Sequence, residues 1–463
     1  MVNKNQDWQK KFEEWTLEIM EEYEIPGLSV GLAHKGEVIY ARGFGYACRE
    51  EEKKAGPATV FGIASITKSF TALAIMLLAR EEKLSIGDPV IKYLPEFQVG
   101  ETITPAITIH HFLTHTAALP PTPALLYAMV RSLEGDPTVD KLKSEGKWEQ
   151  WTAEPPLDSG DDLLHYLARK KFEPLGHPGG QFSYSNDAYS LLGTIVERVS
   201  GMSLGDFMAE RIFQPLGMDR TTFDPQKLED WPDVTQLYAR IDEEIMPAPC
   251  WNHAPAMLGA GFLKSSIYDL LKYGNFYLNN PSLARIMGAP LFPLPPGNFY
   301  GYGFMVQPDY QGYPIIEHGG SLKGVSSHLG LLPEKDLTAA VLINLVEMPV
   351  TRIWNALINS VLDRPLSTER YSWPVLSSWP EGSRDWPGQY TSGEGAEVRV
   401  QAEGDKLFIE FNNNRQELHP VAVDKARIIR RGEQNIIQFL RDGSGYVSAL
   451  HMGLRIIKKD GES

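Results

Sequence analysis

Residues Phe61 to Arg80 read FGIASITKSFTALAIMLLAR, with Ser65 and Lys68 three positions apart at the head of an apolar run. On a helix, positions i and i+3 share a face, so local geometry alone brings the Lys68 amine within reach of the Ser65 hydroxyl. A serine is a weak nucleophile until a base takes its proton, and a lysine desolvated against apolar side chains can lose its charge and act as that base. Ser144 and Lys147 repeat the spacing within KSEGKWEQ. That segment is charged, broken by glycine and backed by no apolar run, so its lysine stays solvated and protonated. The run from Phe70 to Ala79 falls well short of the ~20 residues a membrane span requires, and it predicts a buried helix.

The chain of 463 residues is long enough for a large domain and a smaller one, and 43% hydrophobic with 22% charged is the balance of a globular protein with ample core. A formal charge of -15 argues against nucleic acid or an anionic membrane as partner, since both reward clustered Lys and Arg. The two cysteines, Cys48 and Cys250, fit neither a disulfide framework nor a zinc spacing and read as buried free thiols in a reducing compartment. The N-terminal residues are charged throughout, without the apolar core of a signal peptide, which predicts a cytoplasmic protein. Trp8, Phe12, Trp15 and Ile19 recur at helical spacing and predict an amphipathic first helix packed on a sheet.

After Pro26-Gly27, two β-like runs meet at Lys35-Gly36, the start of an antiparallel sheet. His115, in FLTHTAALP, lacks an acidic partner nearby and reads as a histidine satisfied within the fold. From Pro120 to about Pro178, prolines, Trp148, Trp151 and alternating charge surround short helical pieces, the pattern of a lid or pocket wall. Tyr184 and Asn186 then stand after a glycine turn and before a helix. A phenol there can pass a proton between nucleophile and leaving group if a cation holds its pKa down, and an amide can hold Lys68 or a substrate carbonyl. Tyr273 with Asn275 and Tyr277 with Asn279 share that spacing but sit in a helical stretch and read as packing. YGYGFMVQ, PIIEHGG, SSHLGLL and TAAVLINL predict an antiparallel meander ending the domain. Within it, Gly319 and Gly320 let backbone approach a ligand closely, and His318 beside them can donate to a carboxylate or to Tyr184.

In that order, Ser65-Ile66-Thr67-Lys68, Tyr184-Ser185-Asn186 and His318-Gly319-Gly320 resemble the three motifs of serine β-lactamase-like and penicillin-binding-protein-like hydrolases, of the class C, esterase and D-peptidase kind. EKLSIGDPVIKYLPEF, FSYSNDAYSLLG and GAGFLKSSIYDL are similar to that family's connecting segments, so the resemblance runs from about residue 10 to 362. It implies an α+β fold, an antiparallel sheet flanked by helices beside an all-helical region, with the site between them. It also implies Ser65 as nucleophile, Lys68 as its partner, Tyr184 as general base and activator of water, and Asn186 as a positioning residue. An oxyanion hole from the backbone N–H groups of Ser65 and Ser321 is implied too, a device typically worth ~3 to 4 kcal/mol. True β-lactamases and penicillin-binding proteins carry lysine where this chain has His318. A mostly neutral imidazole grips a carboxylate less firmly, which shifts the expected substrate from β-lactams toward peptides, amides or esters.

The domain is expected to span residues 1–365, with the lid at 120–178 and a Pro-, Ser- and Trp-rich linker at 366–386. Short strands with reversals at Glu403-Gly404-Asp405, Asn412-Asn413-Asn414 and Asp442-Gly443 then predict a small antiparallel barrel over 387–463, of about seven or eight strands, similar to the lipocalin-like domain attached to some family members. That barrel either caps an active site or aids assembly. The expected function is a serine hydrolase working through an acyl-enzyme, without metal or cofactor, on small peptide, amide (including D-amino-acid) or ester substrates. Acyl transfer by the same Ser-Lys-Tyr site and a non-catalytic sensor are the alternatives. A small molecule or short peptide is the expected partner, and a homo-oligomer is compatible with the sequence.

Overall fold

The computed structural model describes residues 7–100, 104–295, 297–411, 414–430 and 432–461; Asn412 and Asn413 of the second expected reversal lie outside them. Helix α1 (Asp7–Glu22) buries Trp8, Phe12 and Ile19, the stripe predicted from their spacing, and it leads into strands β1 (Gly27–His34) and β2 (Glu37–Cys48) around Lys35-Gly36. After a two-residue strand β3 (Lys53–Lys54), the chain leaves the sheet for helix α2 (Thr67–Arg80), the helical region and α3 (Asn186–Ser200). It returns through helix α4 (Ile267–Leu278) and six strands: β4 (Phe292–Leu294), β5 (Asn298–Tyr300), β6 (Met305–Tyr310), β7 (Tyr313–Leu322), β8 (Val325–Leu332) and β9 (Leu337–Ile343).

The resulting antiparallel sheet has the order β3-β2-β1-β9-β8-β7-β6-β5-β4, so the first and last strands in sequence meet at its centre, with Leu28 opposite Ile343. Strands β8 and β9 are buried at every position because helices cover both faces. On one face lie α1 and the closing helix α5 (Val350–Val361), whose Trp354 indole donates to Ala339 O at 2.9 Å. On the other lie α2, α3 and α4, fused into one core with the helical region.

The stretch from Pro120 to Pro178 carries short helices at Ala124–Met129, Pro137–Ser144 and Gly160–Lys170. Buried Asp136 in this stretch pairs with Lys323 at 2.5 Å, and Lys323 also donates to Cys250 O at 2.7 Å, tying it to the turn after β7. Cys48 and Cys250 are free, as expected, but only half-buried rather than core thiols. Among the described residues no helix is long and apolar enough to cross a membrane.

Beyond α5, nine further strands run from β10 (Gly388–Thr391) through β11 (Glu397–Glu403), β12 (Lys406–Phe411), β13 (Asn414–Glu417), β14 (His419–Ala422), β15 (Lys425–Arg430), β16 (Glu433–Arg441) and β17 (Val447–Met452) to β18 (Arg455–Lys459). They form one antiparallel sheet, β13-β12-β11-β10-β18-β17-β16-β15-β14, curled into a nearly closed barrel that opens between β13 and β14. Nine strands replace the seven or eight expected, because the stretch around Leu418 divides into two short strands, one at each open edge. Trp386, stacked on Phe439 at 4.1 Å, fills the interior with Tyr390, Ile409 and Leu450.

Candidate active site

A two-residue strand, Phe61–Gly62, and a single 3-10 turn, Ala64–Ile66, deliver Ser65 to the mouth of α2. Ala64 holds a left-handed φ of 43°, an unfavourable conformation for a side-chain-bearing residue and one that clusters at functional sites. Strand β7 crosses this turn so closely that a Cβ on Gly320 would stand 2.4 Å from both Ile63 O and Ser327 Oγ. Glycine is therefore required at 320 by contact with the nucleophile turn.

Lys68 is fully buried, and its Nζ lies 2.9 Å from Asn186 Oδ1, 2.5 Å from Ala260 O and 3.3 Å from Ser65 Oγ. Burial, with a smaller contribution from the Arg455 charge, holds the amine well below the usual lysine range. A neutral amine has two N–H bonds and one lone pair. Lys68 Nζ donates to Asn186 Oδ1, Ala260 O and Ser65 Oγ; in a free-base form the two carbonyl acceptors would take both N–H bonds and turn the lone pair to Ser65.

Ser185 caps α3 by accepting from Ala188 N at 3.1 Å, and this cap aims its neighbours Tyr184 and Asn186 at Lys68. The Tyr184 ring centroid is 4.6 Å from Lys68 Nζ. Burial raises the Tyr184 phenol above its ordinary value, more than its hydrogen bond with Ser65 and the Arg455 charge lower it. Tyr184 is thus a protonated phenol near neutral pH, able to donate.

His318 is buried on β7, and burial pushes its imidazole down to about 3, with the Lys68 charge as a lesser cause. Its Nδ1 lies 2.6 Å from Gly319 O and so carries the proton, while its Nε2 faces the Tyr300 hydroxyl at 3.1 Å. Tyr300 in turn meets His115 Nε2 at 3.2 Å, and His115 Nδ1 accepts from Ser185 N at 3.0 Å. His115 is therefore satisfied within the fold and supports the Tyr184 loop. Gly319 directs its missing Cβ toward His328, away from Ser65, and Ser321 lies exposed, paired with Ser326. The look-alikes separate cleanly. Ser144 donates to Lys141 O while Lys147 pairs with Glu145 in solvent, and Tyr273 stacks on Phe70 at 3.7 Å.

One side chain at the site escaped the sequence reading. The turn between β17 and β18 reaches across from the barrel, where Leu454 O accepts from Tyr184 N at 2.9 Å and the Arg455 guanidinium sits 4.6 Å from the Tyr184 ring centroid. Arg455 Nε donates to Glu394, on the β10–β11 turn, at 2.9 Å. The same turn packs Gly393 against Pro121 O, at the start of the 120–178 stretch. The barrel therefore contacts the candidate site of its own chain through Leu454 and Arg455. In the sequence nothing marked this arginine.

Asp187, next to Asn186 and fully buried, accepts from Thr122 Oγ1 at 2.7 Å, and burial raises its carboxyl to about 7. An acid whose folded-state value lies above its unfolded value stabilises the fold fully below the unfolded pKa, near ~4, and that contribution is lost as pH rises through about 7. Asp187→Asn should therefore lose less stability than wild type between about pH 5 and 9, by on the order of 2 kcal/mol, read from urea unfolding at each pH. Parallel curves for the two proteins would contradict this.

Comparison with known proteins agrees with this geometry. A family model described as Beta-lactamase matches residues 12–363. Protein flp of Staphylococcus aureus (strain MW2) is 27% identical over 367 residues, 75% of this chain, which spans only 64% of flp's length. Penicillin-binding protein 4* of Bacillus subtilis is 25% identical over 411 residues, 84% of each chain. The octameric penicillin-binding protein homologue from Pyrococcus abyssi superposes over 97% of this chain and 99% of its own, with a TM-score of 0.71 and 27% identity. That likeness includes the C-terminal barrel. With the family model matched from α1 through α5 and the Ser-Lys and Tyr-Asn pairs assembled between sheet and helices, the chain belongs to the beta-lactamase family.

Proposed function

We propose that the protein is a serine hydrolase that forms an acyl-enzyme at Ser65 and cleaves small peptide, amide (including D-amino-acid) or ester substrates carrying a carboxylate. The observation that carries this reading is the contact of buried Lys68 Nζ with Ser65 Oγ beside two carbonyl acceptors, Asn186 Oδ1 and Ala260 O, which in the free base would take both N–H bonds and leave the lone pair to Ser65. Ser65 Oγ attacks the substrate carbonyl carbon as its proton passes to Lys68 Nζ. The backbone N–H groups of Ser65 and Ser321 receive the oxyanion. Tyr184, protonated, donates to the leaving group as the tetrahedral adduct collapses and is re-protonated from Lys68. Water then attacks the acyl carbon, its proton returning through the same pair, and Ser65 leaves with a proton. Lys68 takes the role of base and Tyr184 that of proton carrier.

The substrate class rests on charge. Lys68 and His318 are both held toward their neutral forms by burial, so the family's usual cation at position 318 is missing. Arg455 supplies a guanidinium at the site from the barrel, and Glu394 is its resident carboxylate partner. A substrate carboxylate would exchange with Glu394. The covering turn, which places Leu454 and Arg455 on Tyr184, also favours a second outcome in which an amine acceptor competes with water for the acyl group.

A panel of p-nitrophenyl esters, D- and L-aminoacyl anilides with and without a free carboxylate, and a chromogenic cephalosporin tests the reading. Carboxylate-bearing amides or esters should turn over faster than their neutral counterparts, and the cephalosporin, itself a carboxylate, reports whether Arg455 stands in for the cation missing at 318. Equal turnover of neutral and carboxylate-bearing substrates would overturn the substrate assignment, and product analysis with an added amine separates transfer from hydrolysis.

A further inference from the structure

Strand β7 has two chemical faces. His318 and Gly320 point to Ser65, while Glu317 points the other way, toward α5. There the buried Glu317 carboxylate accepts from both terminal nitrogens of Arg370, at 2.8 Å for Nη2, and from His328 Nε2 at 2.9 Å. Arg370 belongs to the segment joining the two domains, not to the sheet. Its Nε donates to Asn355 of α5 at 2.5 Å and its Cζ lies 5.0 Å from the Trp354 ring centroid. The guanidinium thus donates through Nη1 and Nη2 to Glu317 of β7 and through Nε to Asn355 of α5. A cavity of about 430 Å³ adjoins the pair, and Gly319 and Leu454, both neighbours of active-site residues, also line it.

We propose that Arg370 is a positioning residue for the acyl-transfer site. It clamps β7 from behind, so that the connecting segment holds the strand on which His318 and Gly320 meet the nucleophile turn. This rests on the hydrolase reading only for its effect on turnover. The clamp itself is a statement about Glu317, Arg370 and His328. Gly320 sits where a single added Cβ would meet Ile63 O and Ser327 Oγ, so a shift of β7 on losing the clamp changes the geometry at the nucleophile turn. Seating the segment also seats the barrel that follows it, which couples the Arg455 turn to the same strand.

His328 makes the clamp readable. Its Nε2 faces Glu317 while its Nδ1 is buried without a partner, which disfavours the imidazolium as long as Arg370 balances the carboxylate. Burial and Arg370 lower the His328 pKa, and Glu317 raises it. Arg370, His328 and Asn355 face the carboxylate directly. Tyr310, Tyr371 and Glu433 act on the pair through charge alone. Without Arg370, Glu317 has only His328 to neutralise it, and protonation of that imidazole partly replaces the lost charge.

The test uses the full-length chain. Arg370→Ala should lower kcat/KM by about 10 to 30-fold, mostly through kcat, as expected for misplacement of a strand rather than loss of a chemical group. Guanidinium ion at ~20 mM, far below denaturing levels, should restore at least a third of the loss by entering the vacated space from the adjoining cavity. The deficit should also shrink as pH falls from ~8 to ~6, and NMR should place the His328 titration higher than in wild type. Should Arg370→Ala not fold, Arg370→Ala with Glu317→Gln removes both charges. A folded double variant is then expected to lack the guanidinium rescue and the acid-side recovery while keeping reduced kcat. A folded Arg370→Ala with wild-type kcat and an unmoved His328, or a double variant with wild-type kcat, overturns the proposal. Wild type that never turns over any ester or amide sinks the hydrolase reading instead, and the His328 titration still judges the clamp.

Discussion

Replacing Lys68 by methionine is expected to lower kcat/KM by about 10⁴-fold while Ser65 stays in place, because the substitution removes the group proposed to take the serine proton and leaves Tyr184, whose raised pKa keeps it protonated, as the only other contact of Ser65 that could. The side chains are close in length and shape, and burial at this site already disfavours the lysine charge. Methionine leaves Asn186 Oδ1 and Ala260 O without their donor, an expense set against relief from burying an amine, so the folded state should persist. The pH profile follows from the same burial. With Lys68 as the proposed base, wild-type kcat/KM should rise through the depressed amine pKa and level off well below the alkaline range of an ordinary lysine. If Tyr184 were the sole base, its raised pKa would instead carry the rise to strongly alkaline pH, and Lys68→Met would lose far less.

Replacing Arg455 by alanine should cost about 100-fold in kcat/KM for substrates that carry a carboxylate and less than ~5-fold for neutral esters. The distinction matters because Arg455 touches Tyr184 as well. Were its main role to keep the phenol acidic, both substrate classes would fall together. Were it only to seat the barrel, Arg455→Lys would behave like alanine toward neutral esters. Charge-assisted recognition predicts that lysine recovers part of the carboxylate preference and alanine none. Glu394→Gln supplies the opposite sign, since removing the resident carboxylate should strengthen binding of anionic substrates.

Much of the hydrolase domain was legible because its signals are local. The i, i+3 spacing of Ser65 and Lys68 on an apolar helix, the Ser185 cap that aims Asn186, and the glycines after His318 each carry their geometry within a few residues. The strands of the meander were readable from continuous apolar runs bounded by turns. The reading stopped where function depends on contacts between segments far apart in the chain. Arg455 reaches the site only through closure of the barrel, and Arg370 joins Glu317 only because the connecting segment folds against α5. Neither arginine sits in a motif. The directions for Lys68 and His318 were expected, while the Tyr184 phenol was hidden, because its burial outweighs the cation expected to hold its pKa down.

Mass spectrometry of the intact protein after treatment with a fluorophosphonate, followed by peptide mapping, addresses the central claim most directly. One adduct per chain is predicted, on Ser65, forming rapidly in wild type and slowed by orders of magnitude in Lys68→Met. Labelling at another residue, or an unlabelled Ser65 in folded wild-type protein, would contradict the account.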